Sequence, residues 1–524
     1  MAQTPKTPTS PHEAFLATSP RLTATGLISG MGLFSATALV IGSMVGSGIY
    51  IVEADMARTL GSPALLVLAW VITALITMIG ALSYGELAAM MPHAGGQYVY
   101  LREAFGPLWG FLYGWTFFTV IQTGSIAAVA VAFGKFLGIL YPSISTTHWI
   151  WHIAHVPALR MGSIEVGNME IGLNTANLVA IAVIVLLAVV NCFGVALGAM
   201  VQNVFTSAKS ISLMALILVT FSVGVNHEAL HANFGAAFFH GAGWSTLHPL
   251  ALAHGGALWV NVLIALGVTQ VGSLFSSDSW NNITFTASEV RDPQRTLPLS
   301  LVLGVGFVLT CYILATLGYM MVLPLVGDPH GATIAARGIQ FAADDRVGTA
   351  VLEQIFHTTG AFLMAGAILI STFGCVNGLS LAGARVYLAM SRDRLFFPAV
   401  GRLHPRFRTP TTGLLVQAGW AMVLCLSGSY AQLLDYIIFA VLMFNMMTIL
   451  GIYVLRVKQP DAERPYRAWG YPVLPAIYIV LATAICIVLL LYKPQFTWPG
   501  LILVLTGIPL YFLSRYLCRD REAL

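Results

Sequence analysis

The chain has 524 residues, 57% of them hydrophobic and only 9% charged, where an ordinary globular protein carries about 25% charged residues. With a mean hydropathy of +0.82 it has too little polar material to cover a soluble surface. It reads as an all-α polytopic membrane protein, and its net charge of +4 says little until it is distributed over the two sides of a membrane.

Apolar runs of about 20 residues, the length that crosses a bilayer, predict twelve transmembrane helices. They are centred near Ile41, Ile76, Phe118, Ile184, Ala215, Ala265, Leu309, Ala367, Ala421, Phe444, Val480 and Leu505, which leaves no second domain. Residues 1–30 carry Pro5, Pro8, Pro11 and Pro20 among Thr and Ser. They read as a disordered cytoplasmic tail and lack the basic, apolar, small-residue order of a cleaved signal peptide. With the N-terminus inside, eighteen of the 25 Lys and Arg residues fall on the cytoplasmic side, six fall outside, and Lys209 lies within a span. Positive charge stays inside during insertion, so both termini are expected in the cytoplasm. Cys192, Cys311, Cys375, Cys425, Cys486 and Cys518 lie in or beside apolar runs, which fits packing residues and neither a disulfide framework nor a metal site.

The first span, from about Gly32 to Val52, contains Gly42-Ser43-Met44-Val45-Gly46-Ser47-Gly48-Ile49-Tyr50. Each glycine weakens a helix by about 1 kcal/mol relative to alanine, so a break is predicted here, with the span resuming from Ile49 to about Arg58. Backbone groups freed at membrane depth must line a protein cavity or bind something polar. An amino acid is the expected ligand.

The second span, Pro63 to about Met91, ends in Tyr84-Gly85-Glu86-Leu87 and is followed by Pro92, then Gly95-Gly96-Gln97-Tyr98-Val99-Tyr100-Leu101 and Ala104-Phe105-Gly106. Together with Gly46-Ser47-Gly48 this pattern resembles the amino acid, polyamine and organocation (APC) superfamily of transporters. Span three, about Leu108 to Leu140, leads to a loop, Tyr141 to Leu173, whose His148, His152 and His155 read as loop histidines, since no cysteine or carboxylate pair supports a metal. His227 and His231, in the outer loop before span six, read the same way.

A very short turn around Gly194 to Gly198 joins spans four and five. Span five carries Gln202, Asn203, Thr206, Ser207 and Lys209. An ionisable residue inside a span is by default functional or paired, although near the cytoplasmic end a lysine can snorkel to water. Span six is apolar from Ala257 to Gly272 and interrupted by the polar run Ser273 to Asn282, with a short return ending at Ser288-Glu289. Asp278, in this interruption, is either a charge for a substrate amine or, the preferred reading, a cap on the second half-helix. Broken first and sixth helices are what a 5+5 inverted repeat of the LeuT-like fold predicts, with substrate at the midplane between them.

The resemblance continues through Glu289 to Pro298. Leu274 to Asn281, Ser371 to Gly378, Gly383 to Asp393 and Arg464 to Pro472 narrow it to the L-type-like branch, in its prokaryotic form without a heavy subunit. It covers about Gly32 to Arg515 and implies the following. The substrate carboxylate meets the amides of Gly46, Ser47 and Gly48 and the Ser47 hydroxyl, in the segment that also holds Val45. The α-amino group meets main-chain carbonyls at Met44, Phe275 and Asp278, and Phe275 closes over the substrate. Ser276, Ser125, Asn377, Phe439 and Val441 lie around the side-chain pocket. Lys209 stands where sodium-coupled relatives hold their ion, bridging spans one, five and eight as a fixed ammonium or releasing a proton during the cycle. No cofactor or metal is implied, and the stretch Tyr141 to Leu173 has no cysteine for a disulfide to a heavy subunit.

The expected organisation is a tail (1–30), a first five-helix repeat (31–224), an extracellular loop (225–256), a second repeat (257–457) and a closing segment with helices eleven and twelve (458–524). The expected function is sodium-independent transport of small or medium neutral amino acids by alternating access in the cell inner membrane, as an exchanger or a proton symporter. A membrane enzyme lacks a catalytic cluster, a channel lacks a filter-like repeat, and a non-transporting sensor lacks room for a signalling domain.

Overall fold

The computed structural model describes residues 21–22, 28–156, 159–161, 164–166, 169–240, 258–426 and 430–519. In chain order the helices are α1 Leu33–Met44, α2 Val52–Leu60, α3 Pro63–Met90, α4 Gln97–Phe105, α5 Pro107–Thr116, α6 Gln122–Leu140, α7 Thr175–Cys192, α8 Val195–Ser222, α9 His227–Phe234 and α10 Ala237–His240. There follow α11 Leu258–Ser276, α12 Asn282–Phe285, α13 Pro293–Val322, α14 Ile334–Arg337, α15 Val347–Arg392, α16 Thr411–Cys425, α17 Tyr430–Lys458, α18 Val473–Tyr492 and α19 Pro494–Arg519. Among the described residues ten helical segments are long and apolar enough to cross a membrane, while α1 and α16 are shorter apolar helices. Each of the twelve centres read from hydropathy lies in one of these twelve segments.

The helix starts follow local chemistry. Pro63 and Pro293 occupy first-turn positions of α3 and α13, where a missing N–H is harmless. At α7 the Asn174 side chain accepts from the Asn177 amide at 2.8 Å, satisfying an orphan donor. Span three is one rod from Pro107 to Leu140, but a π-helical turn, Phe117–Ile121, separates α5 from α6. Such turns widen a helix and recur at functional sites; this one lies one turn before Ser125. The turn between α7 and α8 rests on Gly194 at φ 127°. In α15 the backbone of His357 is left-handed (φ 55°), so the helix is kinked there.

The packing centre is α1. It lies against α8, α13 and α15, and one continuous buried core draws on residues from Met31 to Tyr511 in α19. α2 packs on α3 and α11, and α18 and α19 pack on α17.

Three expectations change. The polar run of span six does not start the break: α11 continues through Ser273 and Phe275 to Ser276, the chain turns at 277–281, and it resumes as α12 and a 3-10 turn, Ala287–Glu289. At the end of α11 the hydroxyls bond back to carbonyls one turn earlier, Ser276 to Gly272 and Ser277, the first residue of the turn, to Ser273, a pattern that weakens and bends a helix end. The loop after span three is a β-ladder, β3 Trp149–Val156 on β6 Met169–Asn174, with β4 Leu159–Met161 and β5 Ile164–Val166 paired beyond it. Within the expected tail, β1 Arg21–Leu22 pairs with β2 Ile28–Ser29, and the amides of Gly30 and Met31 both donate to the Glu289 carbonyl at 3.0 Å. The rest of that tail, and residues 241–257 of the outer loop, lie outside the described residues.

Candidate functional site

The helix α1 ends in the middle of the protein, where its last carbonyls have no helical partner. Side chains from three other helices take them. Lys209 Nζ, from α8, donates to Gly42 O at 2.5 Å and Val45 O at 2.6 Å. Tyr312 Oη, from α13, donates to Met44 O at 3.2 Å. From α15, Cys375 Sγ reaches Ser43 O at 3.2 Å, and Ser371 Oγ reaches Val45 O at 3.2 Å and Gly46 O at 3.0 Å. Five consecutive carbonyls, Gly42 to Gly46, are thus held by side chains. Lys209 is fully buried, which excludes snorkelling, and its charge sits at the negative end of a helix dipole. Its neighbours on α8 serve the same contact: Thr206 donates to Ala38 O at 3.1 Å and Asn203 to Ser35 Oγ at 3.2 Å.

The two breaks touch. A Cβ on Gly48 would lie 2.3 Å from Ser276 Oγ and 2.9 Å from Ser276 Cα, so only glycine permits this approach. Tyr312 Oη also reaches Ser276 O at 3.1 Å and thereby ties the end of α11 to the end of α1.

Around this contact lies a cavity of about 20 Å³ lined by Met44, Gly46, Ser47, Gly48, Ser125, Phe275, Ser276 and Asp278, with Val129, Cys375 and Leu379. Gly46 and Gly48 have no side chain, so they line it with main chain. The space suffices for about one water.

Asp278 also lines two further small cavities, one with Gln97, Gln122 and Asn445 and one with Thr77, Trp280 and Tyr478. Its capping role is not found. The residue preceding α12 is Asn281, with no side-chain cap bond, and the Asp278 carboxylate is approached by Ser279 Oγ at 3.5 Å. The turn winds three residues further than the sequence implied, which carries Asp278 away from the helix start and into the space between the breaks.

The other residues divide. Val45 contributes its carbonyl to Lys209 and Ser371 and is not among the lining residues of the central cavity. Val441 lines both further cavities. Phe439 is buried and lines none of these three. Asn377 turns to the opposite face of α15, where its amide donates to Gly198 O at 3.2 Å and Gln202 Oε1 at 3.0 Å and its oxygen accepts from Asn191 at 3.0 Å. Its fully engaged side chain packs α15 on α7 and α8.

Three participants are not assigned by the sequence. Tyr312 carries one usable signal, a phenol in an apolar run whose hydroxyl needs a partner. Ser371 and Cys375 stand in a recognised stretch, but nothing local indicates which face of α15 meets α1.

The model of the family described as amino acid permease matches residues 31–512. The chain belongs to the amino acid permease family. This permease is 26% identical over 500 residues to the b(0,+)-type amino acid transporter 1 of Mus musculus, covering 95% of this chain and 90% of that one. It is 28% identical over 486 residues to the large neutral amino acids transporter small subunit 2 of Oryctolagus cuniculus, covering 93% and 80%. It is 25% identical over 496 residues to the serine/threonine exchanger SteT of Bacillus subtilis, covering 93% and 97%. The permease is accordingly an amino acid transporter of the membrane, in a family of carriers and not of enzymes.

Proposed function

We propose that this permease exchanges small or medium neutral amino acids across the cell inner membrane, independently of sodium, by alternating access. The observation that carries this reading is the buried Lys209 ammonium on the Gly42 and Val45 carbonyls. By the resemblance set out above, it occupies the position at which sodium-coupled relatives hold their ion, and its charge bridges α8 to α1 without one. Ser371 of α15, on the same Val45 carbonyl, completes a bridge of spans one, five and eight.

The substrate carboxylate meets the main chain of Gly46, Ser47 and Gly48, where the positive end of the short returning helix favours an anion. The ammonium meets the carbonyl ends of α1 and α11 beside the Asp278 carboxylate, so opposite dipole ends read opposite ends of a zwitterion. Phe275 covers the ligand, and Ser125 and Val441 border its side chain. Two of the named relatives are described by neutral substrates, serine and threonine in one case and large neutral amino acids in the other, which supports a neutral substrate here.

The chain crosses the membrane twelve times with both termini inside, and residues 31–224 and 257–457 form inverted five-helix repeats around α1 and α11. The cytoplasmic ends are then tied by the pairs Glu86–Arg456 and Glu289–Arg385. The permease works without a disulfide-linked heavy subunit.

Proton symport is the second reading, favoured by the same buried ammonium, which a proton could leave. Labelled amino acid uptake into proteoliposomes without sodium tests both. Uptake confined to vesicles preloaded with amino acid is the result expected for exchange. Uptake into empty vesicles that rises with an inward proton gradient establishes symport, and dependence on sodium overturns both.

A further inference from the structure

Glu53 lies on α2, the outer half of the broken first helix, one turn beyond Ile49. It is 1% exposed. Its Oε1 accepts from the Trp70 indole N–H at 2.9 Å and from the Thr316 hydroxyl at 2.5 Å. Its Oε2 is buried and accepts nothing among the described residues. An ionised carboxylate taken out of water is expensive unless it is paired and its lone pairs are satisfied, and this one meets neither condition.

Among the described residues the surroundings supply no cation. α11, packed against α2, has no ionisable residue between Leu258 and Ser276, and α3 has only Tyr84 and Glu86, near its far end. α13 presents Tyr312 and Tyr319, the latter with a buried hydroxyl that has no partner, and the preceding turn presents Tyr50. On α2 itself Asp55 and Arg58 point outward, where Arg58 pairs with Asp345 of the neighbouring 343–345 turn; Asp344 of that turn pairs with Arg346.

We propose that Glu53 is a proton-binding site of the transport cycle. The proton rests on Oε2 while α2 is packed against α3 and α13. It returns to water when α2 swings outward and the carboxyl is rehydrated.

The site is linked to the substrate breaks by contacts. Trp70, which donates to Glu53, packs edge-on against the Tyr312 ring with centroids 5.5 Å apart, and Tyr312 holds the carbonyls of Met44 and Ser276. Thr316, the other donor, sits one turn beyond Tyr312 and also bonds its carbonyl at 3.0 Å. Closure over substrate and capture of the proton therefore use the same faces of α3 and α13. Acid on the outer side favours closure, and alkali opposes it. This goes beyond the exchange reading, which needs no proton.

The experiment has two arms on the full chain. In preloaded proteoliposomes, uptake by the wild type is measured as the outer pH is raised from mildly acidic to mildly alkaline. It is expected to fall by up to about tenfold per pH unit, the slope of a single proton, while Glu53→Gln, a mimic of the protonated carboxyl, stays fast and flat. In the second arm, infrared spectra of purified protein follow the carboxylic-acid carbonyl band across the same range. A band that titrates in the wild type and is missing in Glu53→Gln supports the proposal. Thr316→Val, which removes a donor that favours the ionised form, is expected to move the midpoint to higher pH. A flat wild-type profile, an unaltered slope in Glu53→Gln, a band that survives that substitution, or an unmoved midpoint overturns it. Absence of exchange at every pH overturns the transport reading instead, and the infrared arm still decides the fate of Glu53.

Discussion

The Lys209 ammonium stands 2.5 Å from the Gly42 carbonyl oxygen, joining two residues 167 positions apart at the point where the first helix gives way. Hydrogen bonds from a charged donor are worth about 1.5 to 3 kcal/mol each, and Lys209 makes two of them, to Gly42 and Val45. Lys209→Met is expected to lower the unfolding temperature and to reduce amino acid uptake by at least about tenfold, a loss of about 1.4 kcal/mol or more. Thermal unfolding in detergent and uptake in proteoliposomes check it; full activity in the variant would remove Lys209 from the mechanism.

Tyr312→Phe deletes one oxygen and leaves the ring on Trp70 in place. The Met44 and Ser276 carbonyls lose their shared donor, at about 1 to 3 kcal/mol if neither finds water. Slower exchange at nearly normal expression is expected, read as initial rates in preloaded vesicles. An unchanged rate would mean that the bridge between the two breaks is dispensable.

Gly48→Ala places a methyl group 2.3 Å from Ser276 Oγ and 2.9 Å from Ser276 Cα. The clash with the backbone cannot be relieved by a rotamer change, so the breaks are forced apart. Loss of substrate binding is expected, measured by scintillation proximity with a labelled neutral amino acid. Adding Ser276→Gly removes the side-chain clash and leaves the one with the main chain of residue 276, so only part of the binding should return.

Arg385 and Glu289 form a fully buried pair, Nε to Oε1 at 2.9 Å. Removing one partner from such a pair costs about 3 to 5 kcal/mol, because the other charge stays behind. Arg385→Met alone should therefore depress folded yield and thermal stability more than Arg385→Met with Glu289→Gln. A double-mutant cycle on unfolding temperature that also includes Glu289→Gln alone measures the coupling, and a double-variant loss equal to the sum of the two single losses would show that the pair is not coupled.

Glu170 on β6 receives both His152 and His155 of β3, the latter at 2.9 Å. These contacts hold its carboxyl below the ordinary carboxylate range. A carboxyl lowered on folding stabilises the ladder fully above its unfolded value of about 4.3 and loses that contribution as pH falls through the lower folded value. Fluorescence of the neighbouring Trp149 and Trp151 should be steady from neutral to mildly acidic pH and change only in stronger acid. Glu170→Gln should remove that change.

Features that depend on neighbours along the chain are legible before any fold is known. Apolar runs gave the membrane spans, and the glycines of 42–48 marked a broken helix, because hydrophobic length and helix propensity are local properties. The same local reading marked Lys209 as a charge needing a partner, without naming Gly42 and Val45. Tertiary structure decided the rest. Asp278 reads locally as a cap, but the winding of the turn before α12 sends it between the breaks. Asn377 reads as a pocket residue, but the rotation of α15 aims it at Gln202. Glu53 attracts no notice in sequence and becomes a buried, half-satisfied carboxylate once α3 and α13 close over it. The physical reason is the same in each case. The face a helix turns inward, and the donor that meets each freed carbonyl, are set by side-chain packing between segments far apart in the chain, as with Tyr312 and Met44, 268 positions apart.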